Sequence, residues 1–495
     1  MQVCHHRAVD GSGELCEPTR MMTARIAASV LLFCAPLDAA ERPPNILFIF
    51  ADDMPWKAVA ALSGEDIDTP NLDRLAARST SFDQAFNPGS DQGAVCVPSR
   101  TMLNTGRHLW WVSENIRNLR EEIRDDGKSW SQRMSAAGYR TGMTGKWHVR
   151  MPTGDLFDEV RNQRPGMPRD GRNAYNRPIE GQPDTWDAAD PEEGGFWEGG
   201  THWSEVITTD FLELLAIEDP RPWFLYVAFN APHDPRQSPQ EYLDRYPLDR
   251  MQTPENFLPA YPHRDPMGAP HSLRDENLAP MPRTEFAVQT HRREFYAIIS
   301  HLDTQVGRIL DAVDAMPDGE NTVIVFTADH GLAVGEHGLM GKQNMYDHSV
   351  RVPFLIAGPD IPRGERTNAP IYLQDIMPTT LELAGAEVTD DVYFESFLPV
   401  LHGDGGGRDA IYGAYRMHQR MVQVDGEKLI LYPKAGVFRV FDLNADPHEQ
   451  NDLAETPEGL AMAKRLFARL LELQKEKSDP LDLTEVFARL AGGGN

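Results

Sequence analysis

The chain has 495 residues, 41% of them hydrophobic, and a formal net charge of -27. That length allows a large core and more than one domain. The acidic surplus excludes a nucleic-acid binder, which needs a basic face, but not a locally basic cleft for an anionic substrate.

Residues 1–21 show no apolar period and read as a disordered or non-native extension, with Met21 or Met22 as the initiator. Residues 22–40 read as a signal peptide: Arg25, an apolar core from Ile26 to Ala35, and small residues at Ala39 and Ala40 for cleavage. The core is too short to span a bilayer as a mature helix, and Phe33 before Cys34 makes a poor lipoprotein box. The expectation is a secreted or periplasmic protein, not an integral membrane protein. Of the cysteines at 4, 16, 34 and 96, only Cys96 then stays in the mature chain, so no intramolecular disulfide forms.

Four apolar runs follow, each ending in polar chemistry. Asn45–Phe50 leads to Asp52-Asp53, Tyr139–Thr144 to Lys146 and His148, Trp223–Phe229 to His233-Asp234, and Thr322–Thr327 to Asp329-His330. The first, third and fourth runs are short and largely apolar, which fits buried parallel strands, while the second is weaker and mixed. Helical patterns such as Thr69–Arg78 and Glu294–Asp314 lie between them, which implies an α/β fold with a large, mostly parallel sheet flanked by helices. The ligand site of such a sheet lies beyond the carboxyl ends of its strands, where all four polar clusters fall. Residues 152–200 and 247–284 are rich in Pro, Gly, Asp and Arg and read as long excursions that shape a pocket rim.

After about residue 370 the texture changes. Gly403–Arg408 reads as a turn, and Asp409–Arg416, Arg420–Asp425, Lys428–Tyr432 and Phe438–Leu443 read as short strands, the last followed by a turn over Asn444–Glu449. Gly459–Lys475 is an amphipathic helix. The expected organisation is a catalytic domain over 43–375 and a C-terminal subdomain over 376–495, with a small antiparallel sheet and a terminal helix. No internal repeat is present.

Asp52, Asp53 and Asp329 form a set of hard oxygen donors that repel one another without a cation, and calcium or Mg²⁺ prefers such oxygens. His330 stands beside them. Arg100, Lys146, His148, His233 and Lys342 are basic groups at turns or strand ends. Cys96-Val97-Pro98-Ser99-Arg100 precedes a helical run, whose N-terminus offers free N–H groups and a positive dipole end to an anionic nucleophile or substrate.

The Cys96–Arg100 segment, inside Asp91–Arg107, resembles the signature of the type I, formylglycine-dependent sulfatases of the alkaline phosphatase superfamily. Gly145-Lys146-Trp147-His148, Ala231-Pro232-His233-Asp234 and Gly341-Lys342-Gln343 are similar to further elements of that family, in the same order. So are Tyr346–Pro353 and Phe441–Leu453, and the resemblance runs from about Pro44 to about Arg469. It implies an alkaline-phosphatase-like fold and a sulfuric ester hydrolase. Cys96 would be oxidised to formylglycine by a formylglycine-generating enzyme, and the hydrated aldehyde would attack sulfur. Asp52, Asp53, Asp329, His330 and residue 96 would hold one calcium ion, with Mg²⁺ the weaker candidate. Arg100 would hold the nucleophile and its metal, and Lys146 and Lys342 would contact the sulfate. His148 would deprotonate the second hydroxyl of residue 96, so that the aldehyde re-forms and sulfate departs, while His233 assists the leaving oxygen with Lys342.

Two other readings stay open: a phosphonate or phosphate diester hydrolase of the same superfamily, and a secreted glycan-binding protein with a silent site. For the substrate the expectation is a sulfated carbohydrate, in keeping with polysaccharide degradation. Trp110, Trp111, Trp197 and Trp203 are candidates to stack on sugar rings, and Arg236, Arg416 and His418 to bind further anionic groups.

Overall fold

The largely apolar runs form the middle of a sheet in the computed structural model of the chain, which describes residues 42–169, 171–488 and 490. The strands that matter here are, in chain order, β1 (Asn45–Ala51), β2 (Thr80–Phe82), β3 (Gly89–Ser90), β4 (Arg140–Lys146), β5 (Glu159–Arg164), β6 (Trp223–Ala228) and β7 (Thr322–Ala328). They continue with β8 (Phe354–Ala357), β9 (Glu365–Thr367), β10 (Ile411–Tyr415), β11 (Gln419–Val424), β12 (Glu427–Tyr432) and β13 (Val437–Asp442). Eight of them make the large sheet, in the order β9-β2-β8-β7-β1-β6-β4-β5. Only β8 runs against the rest, pairing antiparallel with β7 and β2. Every residue of β1, β4, β6 and β7 is buried, as expected of parallel strands covered on both faces. The expected α/β class with a mostly parallel sheet is the observed one.

Helices cover both faces because their apolar stripes need a partner. Glu285–Asp314 is the longest, starting nine residues before the expected Glu294 because the Thr284 hydroxyl accepts from the Ala287 N–H and caps it. Phe48 and Tyr226 pack with Trp130 in an aromatic cluster, ring centroids 5.0 to 6.2 Å apart. The excursion over 152–200 is not all loop. Its segment β5 pairs with β4 and closes one edge of the sheet, with polar, half-exposed residues that suit an edge.

The second sheet is the expected meander β10-β11-β12-β13, joined by β3 from the front of the chain, which runs parallel to β10. The helix Pro457–Glu476 packs on it and buries Met462, Leu466, Phe467 and Leu470. The expected extension, signal peptide and cleavage site lie outside the described residues.

Candidate active site

Register builds the centre of the site. Ala51 at the end of β1 pairs with Ala328 at the end of β7. Asp52-Asp53 and Asp329-His330 therefore leave the sheet side by side. Asp53 turns back with φ +67, and its N–H donates to Asp329 Oδ1 at 3.2 Å. On the other flank β6 pairs with β4, Ala228 opposite Gly145. The β4–β5 register slips at Gly145, whose φ is +91, and a Cβ there would lie 1.9 Å from the Ala228 carbonyl oxygen. Only glycine permits that approach, and the next residue, Lys146, pairs with Asp52 Oδ2.

Cys96 is the first residue of the buried helix Cys96–Thr105. Pro98 falls in the first turn, where its missing N–H costs nothing, and Gly106 closes the helix in a left-handed cap. The helix is pinned to the strand end. Ser99 Oγ donates to the Asp329 carbonyl at 2.8 Å, and Arg100 Nε donates to Asp329 Oδ2 at 2.9 Å. Arg100 Nη2 lies 3.6 Å from Asp52 Oδ1, Nη1 donates to the Lys146 carbonyl at 2.9 Å, and the guanidinium covers the Phe50 ring. Arg100 is thus a fully buried clamp on the two strand ends.

Asp52, Cys96, Asp329 and His330 bring their ligand atoms within 4.8 Å of one another, and Asp52, Asp53 and His233 do the same. His330 Nδ1 donates to the Gly331 carbonyl at 2.9 Å, so Nε2 presents a lone pair. That lone pair faces Asp53 Oδ1 at 3.2 Å and Asp329 Oδ1 at 3.6 Å. Such an arrangement needs a proton or a metal ion between nitrogen and oxygen. Asp52 Oδ1 and His330 Nε2 are buried without a hydrogen-bond partner. Burial raises the Asp52 carboxyl well above its usual range, and Asp329 raises it further against the pull of Lys146. Burial raises Asp53 as well, against Lys342 and His330. The donors fit a hard divalent cation.

Burial would push the Cys96 thiol up, but Lys146, the neighbouring His148 and His330, and Lys342 outweigh it and hold the thiol well below its usual value. His148 has φ +56, and its Nδ1 is buried without a partner. Gly166 closes over the His148 ring so tightly that a Cβ would lie 2.3 Å from Nε2. His233 Nδ1 donates to the Asp234 carbonyl at 2.8 Å, while Nε2 lies 3.7 Å from Asp53 Oδ2. Burial, Lys342, Arg274 and Lys146 keep His233 neutral. Lys342 Nζ contacts both oxygens of Asp53, at 2.6 and 2.8 Å.

These groups open into a cavity of about 520 Å³ whose walls include Cys96, His148, His233, Lys342, Arg274 and Asp275. Arg274 and Asp275 were not singled out from the sequence. Arg274 bonds Asp234 at 3.0 Å and Asp275 at 2.5 Å and lies 3.4 Å from His233 Nε2. They sit in the 247–284 excursion, where no period or motif marks them. Arg236 lies off the cavity: its Nη1 donates to His291 Nδ1 at 3.2 Å, and its guanidinium covers Phe295. Trp110, Arg416 and His418 line a separate hollow instead.

Comparison with known proteins bears on the family and the fold. The sulfatase family model matches residues 44–386, and the model of the N-sulphoglucosamine sulphohydrolase C-terminal region matches 335–476. A sulfatase of Formosa agariphila is 29% identical over 434 residues, covering 82% of each chain. The N-acetylglucosamine-6-O-sulfatase of Bacteroides thetaiotaomicron is 26% identical over 534 residues, 92% of this chain and 90% of its own. Two solved structures share the fold. One, an enzyme in complex with its substrate D-glucosamine-2-N,6-O-disulfate, has a TM-score of 0.69 at 23% identity, covering 89% of this chain and 99% of the other. The other, a phosphonate monoester hydrolase from Silicibacter pomeroyi, has a TM-score of 0.71 at 22% identity, covering 88% and 96%. The chain belongs to the sulfatase family of the alkaline phosphatase superfamily and is a sulfuric ester hydrolase.

Proposed function

We propose that this sulfatase removes a sulfate ester from a sulfated carbohydrate, with residue 96 as formylglycine and one calcium ion at the strand ends. The observation that carries the reading is the buried set Asp52, Cys96, Asp329 and His330, within 4.8 Å of one another and beside the cavity. Asp52, Asp53, Asp329 and His330 would hold the metal, and their oxygen-rich character favours calcium. When bound, the ion supplies positive charge to the ester oxygens, and the hydrated aldehyde supplies two hydroxyls on one carbon.

The chain's own residues do the rest. Three carboxylates, Asp52, Asp53 and Asp329, are matched by three cations, Arg100, Lys146 and Lys342. A divalent ion then makes the site net positive, which suits an anionic ester. Lys146 and Lys342 would neutralise the sulfate oxygens as charge moves to the leaving oxygen. His148, which lines the same cavity as residue 96, would accept its proton. His233 and Lys342 line the cavity and would assist the departing alcohol oxygen. The relatives favour a sugar substrate: one curated relative is named a 6-O-sulfatase of N-acetylglucosamine and another a ulvan-active sulfatase. The apolar segment from Ile26 to Ala35 favours export to the periplasm or the medium.

Peptide mass spectrometry across residue 96, on protein from its native host, tests this. Expected is a mass about 18 Da below that of cysteine, the thiol-to-aldehyde change that an activated covalent nucleophile requires. The same preparation is expected to cleave p-nitrophenyl sulfate in preference to a phenyl phosphonate ester, to lose that activity on chelation, and to regain it with calcium. An intact thiol in an active preparation would overturn the formylglycine reading. Preference for the phosphonate ester would overturn the substrate assignment.

A further inference from the structure

Beside the catalytic cavity lies a second hollow of about 460 Å³, whose wall carries the basic groups Arg416, His418 and Lys434, the ring of Trp110, and two carboxylates, Asp91 and Glu114. The two are neighbours through one turn: Asp91 lines the second hollow, while Gly93 and Ala94 line the catalytic cavity. They are also tied across the smaller sheet. Gln419 Nε2 donates at 2.8 Å to the carbonyl of Gln343, a residue of the catalytic cavity, and the Arg416 N–H donates to the Ser90 carbonyl at 2.6 Å.

The basic groups here are presented, not buried. Arg416 and Lys434 are exposed, and neither forms an ion pair among the described residues. Arg416 sits at the tip of the β10–β11 hairpin with φ +48, a conformation that a long side chain adopts at a cost. The His418 ring is fixed against Gly268, where a Cβ would lie 2.8 Å from it, and its Nδ1 donates to the Pro266 carbonyl at 3.3 Å. That turns Nε2 toward Lys434 Nζ, 3.5 Å away. Trp110 supplies an apolar wall, its Nε1 already donating to Tyr412 Oη at 3.1 Å. Past Trp110 the surface dips again, into a hollow of about 320 Å³ with Trp111 and with His108, whose Nε2 is buried without a partner.

We propose that Arg416, His418 and Lys434 form a second, anion-binding subsite, which takes a carboxylate or second sulfate on the sugar adjoining the one that loses its sulfate. The inference rests on the sulfated-carbohydrate reading above and deepens it: the substrate is an oligosaccharide or polymer with charge on neighbouring residues. A guanidinium and an ammonium beside an apolar wall match an oxyanion carried on a sugar ring.

Three disaccharides test it. Each carries the same sulfated sugar, joined to a uronic acid, to a second sulfated sugar, or to a neutral sugar. The kcat/KM of each, and of p-nitrophenyl sulfate, is measured for the native enzyme and for Arg416→Gln, Lys434→Gln and the double variant. The native enzyme is expected to prefer a charged partner, and the preferred arm identifies carboxylate or sulfate. Each substitution is expected to lower kcat/KM on that substrate by about fivefold, the scale of an exposed ion pair. The loss is expected to rise in KM, to fade at high salt, and to be absent with the neutral disaccharide. An equal loss on the neutral disaccharide or on p-nitrophenyl sulfate would overturn the subsite, as would a native enzyme indifferent to the partner's charge. Both results leave the carbohydrate reading standing. Turnover of p-nitrophenyl sulfate with no disaccharide cleaved would overturn the carbohydrate reading and the subsite together.

Discussion

In the proposed mechanism His148 carries the heaviest demand of the site, taking a proton from residue 96 and releasing it again. Its Nδ1 has no partner, and it shares the cavity with Cys96. His148→Ala is expected to lower kcat by about 10²- to 10⁴-fold, the range for loss of a general base, with KM nearly unchanged. Steady-state kinetics on p-nitrophenyl sulfate checks this, and a large rise in KM at constant kcat would reassign His148 to binding. His148 was legible in the sequence because it follows an apolar run within a short motif, and so were Asp52, Asp329 and His233. Arg274 was not legible. Its contact with His233 joins positions 41 residues apart through an irregular excursion, and no local pattern encodes such a meeting. Arg236 shows the reverse error. It follows His233 closely, but the loop turns it inward onto the helix Glu285–Asp314.

At the scale of elements, buried parallel strands announce themselves, because both faces must be apolar. β1, β6 and β7 were readable for that reason. β2, β8 and β9 were not, since each has only three or four residues, and β9 is a largely exposed edge. The four strands of the C-terminal meander were readable to within two residues, but β3 was not. Two residues, Gly89 and Ser90, carry no period, and only the tertiary fold sets them against β10. A second join between the two sheets is electrostatic. Lys428 on β12 donates to Asp347 Oδ1 at 2.7 Å and pairs with Glu449 Oε1 at 2.7 Å. Glu449 Oε2 accepts from the Asp347 N–H at the start of the helix Asp347–Val350. All three side chains are buried. Lys428→Met would leave Glu449 and Asp347 side by side, with only Arg351, 3.5 Å from Asp347 Oδ2, as a neighbouring cation among the described residues. Removing one partner of such a buried group costs about 3–5 kcal/mol, and the expected result is a lower urea midpoint at unchanged slope. A loss below about 1 kcal/mol would show that this join does not hold the meander to the large sheet.

For the molecule as a whole, the net charge of -27 bears on solubility, while a set of neutral buried histidines bears on stability against acid. Burial, aided by Lys477, pushes His108 down to about 3. Burial also pushes His337 down to about 4 and His348 to about 3, with Glu336 resisting and nearby cations helping in both. The unfolded chain binds a proton at each near pH 6.5 and the folded chain does not. Their contribution is therefore complete above about pH 6.5 and is lost as pH falls toward 3 or 4. Each histidine costs about 1.4 kcal/mol per pH unit across that window. Glu449 works in the opposite sense. Burial, with Asp347 beside it and Lys428 opposing, raises it to about 7, so it favours the folded state as pH falls from 7. Asp303, which burial raises to about 6, and Asp52, Asp53 and Glu276, which burial also raises, act with Glu449. His202, His233 and His291, which burial holds low, act with the three histidines, and the histidines prevail. The melting temperature is expected to fall by roughly 5–10 °C between pH 7 and pH 5, a change of several kcal/mol in a chain of this size. His348→Gln places a non-titrating side chain at a position 3% exposed. The variant is expected to melt lower at pH 7 but to lose less between pH 7 and pH 5 than the native protein. The slope, measured by calorimetry at half-unit steps, is the deciding quantity, since packing loss shifts every point equally. A native melting temperature that is flat or rising toward pH 5 would mean that these histidines are charged in the fold, paired with Glu336 and its neighbours.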